Sequence, residues 1–74
     1  MENEDRTFEI LGIEGSRLLL AKKDGTWTYE FKPWQLSYLT IATLENRQAL
    51  GWNPLGMARF ESSSGKLQFV EVLL

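Results

Sequence analysis

The sequence predicts an all-β domain, a small antiparallel open barrel of five or six strands with one short helical turn before the last two strands. Three observations carry this prediction. Asp24-Gly25, a pair typical of hairpin turns, lies between two segments of strand-like composition. Trp27, Tyr29 and Phe31 alternate with polar residues, which is the two-residue period of a half-buried strand. Residues 66–73 are rich in the Phe and Val that favour a final strand.

The composition sets how such a domain can be stabilised. The chain has 74 residues, enough for one domain with a single small core. Its apolar fraction of 43% is too high for a disordered chain. Because the chain has no Cys, no disulfide can cross-link it, and the packing of the core must supply the stability.

The charges are unevenly distributed. Three of the ten acids, Glu2, Glu4 and Asp5, fall within the first five residues. Residues 1–6 are therefore expected to form a flexible acidic tail, and residues 7–74 the domain. The remaining eight bases and seven acids give a net charge of +1, which does not favour a nucleic-acid-binding domain.

The location predicted from the sequence is cytoplasmic. The start of the chain is acidic, and no apolar segment typical of a signal peptide follows it. No apolar run approaches the roughly 18 residues that a membrane-spanning helix needs.

The first strand is predicted over Thr7–Ile13, where Gly12 indicates a bulge or a sharp bend. A turn at residues 14–16 leads into the central hairpin, with strands over residues 17–23 and 26–32. Three consecutive strands with tight turns form a meander. The two-residue alternation places the aromatic residues of the hairpin on one face, and another part of the chain must pack over that face.

The aromatic face of the third strand has two possible roles. Trp27, Tyr29 and Phe31 are expected to point into the core, because so short a chain needs its aromatic residues for burial. Thr28 and Glu30 then face outward. The alternative is that the aromatic row is exposed and is itself a binding platform.

The middle of the chain gives mixed signals. Pro33 ends the third strand, because proline cannot donate to a strand ladder. Beta-branched and aromatic residues favour an extended chain in the first half of this region: Tyr38, Thr40, Ile41 and Thr43. We predict an extended segment over Gln35–Ala42, then a helical turn over Leu44–Leu50 that ends before Gly51.

Two strands complete the chain, Met57–Glu61 and Lys66–Leu73, joined by a loop at residues 62–65. This order of elements is similar to that of two small open barrels. The SH3-like kind has only a helical turn before its last strand, whereas the OB-like kind has a fuller helix between its third and fourth strands. The short predicted helix favours the SH3-like kind, with the OB-like kind as the alternative.

The sequence points away from an enzyme, a metal site or a cofactor. His and Cys are absent, which removes the commonest general base, zinc ligands and nucleophile. The glycine pairs at residues 12–15 and 51–56 lack the remaining residues of phosphate-binding loops. Acids near the strands are interpreted as solvent-facing charges: Glu9, Glu14, Glu61 and Glu71. No catalytic, metal-binding or cofactor-binding residue is predicted.

The aromatic residues in the connections suggest a non-enzymatic function. Trp34 follows Pro33, and Trp52 lies between Gly51 and Asn53, so both fall in segments that run over the surface. Each either caps an open end of the barrel or anchors a protein partner. The predicted partner-binding residues of an accessory or regulatory protein are Trp34, Tyr38, Trp52 and Leu55.

Nucleic-acid binding by the central hairpin is the alternative function. Its basic residues are Arg17, Lys22, Lys23 and Lys32. Interleaved with aromatic rings, they could form a stacking platform for a single strand. Asp24 and Glu30 dilute this patch, and solvated lysines at a hairpin tip also discourage aggregation.

Overall fold

The computed structural model describes residues 4–74, which form one antiparallel sheet of five strands and one helix. The elements in chain order are β1 (Glu4–Glu14), β2 (Arg17–Lys22), β3 (Gly25–Glu30), α1 (Tyr38–Ala49), β4 (Gly56–Ser63) and β5 (Lys66–Leu73). This confirms the predicted all-β class with a short helix before the last two strands. The helix between β3 and β4 has 12 residues, which is the fuller helix expected of the OB-like alternative.

The sheet curls into an unclosed barrel. Its strand order is β3-β2-β1-β4-β5, so β1 joins the β1–β3 meander to the β4–β5 hairpin. Tyr29 on β3 nevertheless stacks against Phe69 on β5, with ring centroids 5.5 Å apart. In a flat sheet these outer strands would lie about 19 Å apart, because neighbouring strands are about 4.8 Å apart. The two edges therefore approach each other across the concave face.

The first strand is longer than predicted. β1 begins at Glu4, so residues 4–6 pair with β4 and do not belong to a flexible tail. Residues 1–3 of the predicted tail lie outside the described residues. The β2–β3 turn is formed by Lys23-Asp24, one residue earlier than predicted, while Gly25 has the predicted positive φ, at 148°.

A β-bulge in β1 decides which residues reach the core. Ile10 pairs with Leu20, but Gly12 pairs with Leu19, so one residue of β1 has no counterpart. This confirms the irregularity predicted at Gly12. The extra residue changes the alternation, and both Ile10 and Ile13 are buried.

Beyond the bulge, a side chain of α1 takes the place of a strand partner. The pairing of β1 with β4 ends at Ile10 and Gly56. Further along β1, Gln48 Oε1 accepts a hydrogen bond from the Ile13 N–H, and Gln48 Nε2 donates to the Ile13 carbonyl, both at 2.9 Å. Gln48 thus satisfies both backbone groups of Ile13 and attaches the helix to the sheet.

The space beside Gly12 is required for this attachment. A Cβ atom at position 12 would lie 2.9 Å from Gln48 Oε1. We expect Gly12→Ala to displace the amide and to lower the free energy of unfolding by about 1–3 kcal/mol, because two hydrogen bonds are lost. Urea denaturation measures this loss. In a Gln48→Ala background the same substitution should have little effect, and an equal loss in both backgrounds would show that the contact is not the cause.

The helix corrects the prediction for the middle of the chain. The extended segment predicted at Gln35–Ala42 is wrong, because α1 begins at Tyr38. Ser37 is its N-cap and accepts a hydrogen bond from the Thr40 N–H at 3.2 Å. Leu36 and Ile41 flank this cap and line one cavity, in the positions of a hydrophobic staple. These signals outweigh the strand propensity of the β-branched residues.

The helix ends as predicted, just before Gly51. Gly51 has a φ of 83°, and its N–H donates to the Gln48 carbonyl. The Trp52 N–H donates to the Arg47 carbonyl at 2.9 Å. These two bonds form a Schellman motif, which places Trp52 directly over the last turn of α1.

The core lies between the concave face of the sheet and α1. Its buried members are Ile10, Ile13, Leu18, Leu20, Phe31, Leu36, Leu44, Leu55, Ala58 and Phe60. Phe31 is buried, and Trp27 and Tyr29 are half-buried against this cluster, which confirms the inward orientation of the aromatic row. Thr28 and Glu30 are exposed, as predicted.

Candidate functional site

Trp34 is held at the corner of a turn that directs it into solvent. The Gln35 N–H donates to the Lys32 carbonyl at 2.9 Å, so Pro33 and Trp34 are the corner residues of this turn. The Gln35 side-chain oxygen accepts hydrogen bonds from the Lys32 N–H at 2.7 Å and from the Tyr29 hydroxyl at 2.9 Å. Trp34 is 80% exposed on this fixed turn, so it does not cap the barrel.

The first turn of α1 adds two more exposed apolar side chains. Tyr38 is 92% exposed and Leu39 is 76% exposed. Ser37 caps the helix immediately before them and fixes the direction in which the chain enters α1. The predicted site residues Trp34 and Tyr38 therefore lie close together in the chain and are both accessible.

The outward side of α1 is largely apolar. Leu44 is the buried residue of the helix and faces the sheet. The opposite side carries residues at spacings of three or four, all exposed: Leu39, Ala42, Asn46, Ala49 and Leu50. A surface helix normally presents a polar side to solvent, so an apolar outer side indicates an unpartnered surface.

Of the ten large exposed apolar side chains in residues 4–74, five lie on α1 and its flanks: Trp34, Tyr38, Leu39, Leu50 and Trp52. Together, Trp34, Tyr38, Leu39, Ala42, Ala49 and Leu50 form what we call the α1 surface. Next to it is a shallow cavity of about 370 Å³ lined by Pro33, Leu36, Ser37, Tyr38 and Ile41.

Trp52 lies at the far end of α1 from Trp34. A helix of 12 residues is about 18 Å long, so the two rings are separate features of the surface. Trp52 is 51% exposed, and the Arg47 guanidinium lies 4.3 Å from its ring centroid. Arg47 Nη1 also donates to the Leu55 carbonyl at 2.8 Å. Trp52 therefore combines a structural contact with a partly accessible ring.

Leu55 was predicted to contact a partner, and the structure corrects this. The residue is 1% exposed and belongs to the core. Its N–H donates to the Ile10 carbonyl at 2.8 Å. This hydrogen bond holds the backbone of the connection against β1, and the Leu55 side chain points into the core.

The basic residues predicted to form one hairpin patch lie at different places. Arg17 and Glu30 form an ion pair of 3.9 Å at one end of β2, and both are exposed. Lys22 and Lys23 lie at the other end, about 17 Å away along a strand that rises about 3.3 Å per residue. Lys32 lies in the turn that carries Trp34. The strand register and the turns therefore place the four basic residues at three separate positions, and they do not form the predicted single patch.

The acids of the outer sheet surface serve as structural partners. Arg59 on β4 donates to Asp5 on β1 at 3.1 Å, and its Nη2 lies 2.8 Å from Glu71 Oε2 on β5. The hydrogen bond with Glu71 raises the pKa of the Arg59 guanidinium, and the negative charges of Asp5 and Glu71 add to this effect. Arg59 thus links three strands on the outer surface.

Two further properties concern residues 4–74. Within this range no cluster of three or more His, Cys, Asp or Glu side chains is placed to hold a metal ion. No helix of this part of the chain is long and apolar enough to span a membrane.

Sequence reasoning missed Leu39 and Ala42 because it assigned the first part of α1 to an extended segment, and it placed Ala49 and Leu50 in a helical turn without giving them a role in binding. The pattern Ser37-x-x-Thr40, with apolar residues on either side, is the local signal that could have found the helix start. Comparison of the chain with models of known protein families, with curated proteins and with solved structures gave no match.

Proposed function

We propose that this protein is a non-enzymatic interaction module, an accessory or regulatory protein that binds a protein partner through the α1 surface. The observation that carries the proposal is the exposure of Trp34 on the turn before α1, and of Tyr38 and Leu39 on a helix whose other side is already packed against the core. An apolar patch of this kind on a small domain is typical of an interaction site.

The geometry favours tight binding by a few anchors. Trp and Tyr dominate the binding energy of many interfaces, because they bury a large area and keep a polar group for a hydrogen bond. The Gln35 hydrogen bonds hold the Trp34 turn in place, and Ser37 holds the start of α1. A prearranged surface loses little conformational entropy on binding. The cavity beside Tyr38 can accept an apolar side chain of the partner.

The α1 surface predicts which substitutions abolish binding. We expect Trp34→Ala to weaken partner affinity about 30-fold, because a central Trp anchor contributes about 2 kcal/mol. Leu39→Glu should abolish binding, because the partner would have to desolvate a carboxylate. Both side chains are exposed, so the variants should keep the wild-type melting temperature.

Affinity capture from the source cells tests this proposal. The immobilised wild-type protein should retain a discrete partner that the Leu39→Glu variant does not retain. Leu67→Glu is the matched control, because Leu67 is also an exposed leucine but lies on β5, away from α1. The proposal is wrong if the two glutamate variants retain the same proteins as the wild type.

A further inference from the structure

The open end of the barrel contains a second candidate site that the proposed function does not use. A cleft of about 540 Å³ lies there, and we call it the mouth cleft. It is lined by Arg6, Phe8, Lys22, Lys23, Asp24, Trp27 and Leu67. The cleft is wide and largely open to solvent.

The strand register brings these residues together from distant parts of the chain. The start of β1 pairs with the end of β4, so Arg6 lies opposite Phe60 and Phe8 opposite Ala58. The β2–β3 turn reaches the same end of the sheet, because Leu20 pairs with both Ile10 and Trp27. The attachment of α1 at Ile13 is at the far end of β1. The mouth cleft and the α1 surface are therefore separate.

The mouth cleft carries positive charge that the fold does not use. Arg6, Lys22 and Lys23 form no ion pair with another residue of the described range 4–74. Asp24 is the one acid among the lining residues. Three bases against one acid make the cleft locally basic, although the whole chain has a net charge of -2. Such a cleft attracts an anionic ligand.

The apolar part of the mouth cleft is aromatic. Phe8 and Trp27 meet edge to face, with ring centroids 5.3 Å apart. Both rings are half-buried, and both line the cleft, so part of their surface is left for a ligand. Aromatic rings beside unpaired cations match a nucleotide, whose base stacks on apolar rings while its phosphate binds Lys and Arg.

We propose that the mouth cleft binds a nucleotide unit of a single-stranded nucleic acid. The base packs against Trp27, Phe8 and Leu67. Its phosphate and those of the adjoining nucleotides are bound by Lys22, Lys23 and Arg6. Packing of a base on aromatic rings depends little on which base it is, so the site recognises a base with its phosphate and has little sequence preference.

Nuclear magnetic resonance of the full chain tests this proposal, because its three Trp residues act as internal reporters. Titration with a short oligothymidine at low salt should move the indole N–H signal of Trp27 and leave those of Trp34 and Trp52 in place. Thymidine monophosphate, titrated separately, distinguishes the two sources of the ligand. Tighter binding of the oligonucleotide supports a strand, and equal affinity supports a free nucleotide in the same cleft. The proposal fails if neither probe moves the Trp27 signal.

The salt dependence of oligothymidine binding provides a second readout. If all three bases contact phosphates, the slope of log affinity against log salt should be about −2, since each contact to a single strand contributes about −0.7. Lys22→Gln and Lys23→Gln should each reduce the slope by about 0.7. Lys32→Gln is the matched control and should leave the slope unchanged. Equal slopes for all three variants and the wild type would overturn the assignment, whether or not the protein partner is found.

Discussion

Replacing Phe60 with alanine should lower the free energy of unfolding by about 3–5 kcal/mol, enough to unfold most of this small domain. Phe60 is fully buried at the centre of the concave face. Its ring contacts four others, with centroid distances of 5.1–5.6 Å: Phe8, Trp27, Tyr29 and Phe69. These rings come from β1, β3 and β5, so the loss of Phe60 leaves a cavity where the two edges of the curled sheet approach each other.

Thermal melts of the wild type and three variants measure this effect. Phe60→Leu should retain more stability than Phe60→Ala, because it keeps most of the side-chain volume. Glu30→Ala is the exposed control on β3 and should change the free energy of unfolding by no more than about 0.5 kcal/mol. Equal melting temperatures for Phe60→Ala and Glu30→Ala would contradict the assigned core.

Replacing Leu44 with alanine is expected to have the second-largest effect, a loss of about 2–5 kcal/mol. Leu44 is the buried residue of α1. Together with the Gln48 hydrogen bonds to Ile13 and the half-buried Ile41, it holds the helix against the core. An isolated helix of this length is marginal in water, so a helix that loses its packing should also lose its structure.

Urea denaturation and amide hydrogen exchange together test the role of Leu44. Leu44→Ala should lower the midpoint and increase exchange throughout α1. Leu39→Ala removes the same side chain from the exposed side of the helix and should leave both nearly unchanged. If the two variants lost equal stability, the orientation of α1 would be wrong.

The strands could be predicted because their signals are local. β5 has the predicted bounds, and the bulge follows from a glycine within β1. Trp27, Tyr29 and Phe31 face the core because a period of two leaves one side for burial. In each case a few residues that are neighbours in the sequence are enough to predict the feature.

The start of the helix has a local signal, but its attachment depends on contacts that are distant in the chain. The β-branched Thr40 and Ile41 favour a strand by composition, but the Ser37 cap and the burial of Leu44 outweigh this preference. The Gln48 contact with Ile13 spans 35 positions, and no local pattern indicates it. The local Ser37 cap and the tertiary contacts of Leu44 and Gln48 therefore act together in the part of the chain where propensity was divided.

In the candidate site, too, some features follow from local sequence signals and others from long-range packing. Trp34 was predicted to lie in a connection, either capping an open end of the barrel or anchoring a partner, and its ring is exposed. Leu55 also lies in a connection, yet its backbone bonds to Ile10 and its side chain is buried. Position in a connection thus indicates where the backbone runs, while long-range packing decides which side chains remain exposed.

Site-specific photo-crosslinking in the source cells tests the central claim most directly. A photoreactive residue at position 39 lies on the α1 surface, and one at position 67 is an exposed reference on β5. We predict a discrete covalent adduct with another protein from position 39 and none of that mass from position 67. No adduct from position 39, or the same adduct from both positions, would contradict the assignment of α1 as the partner-binding surface.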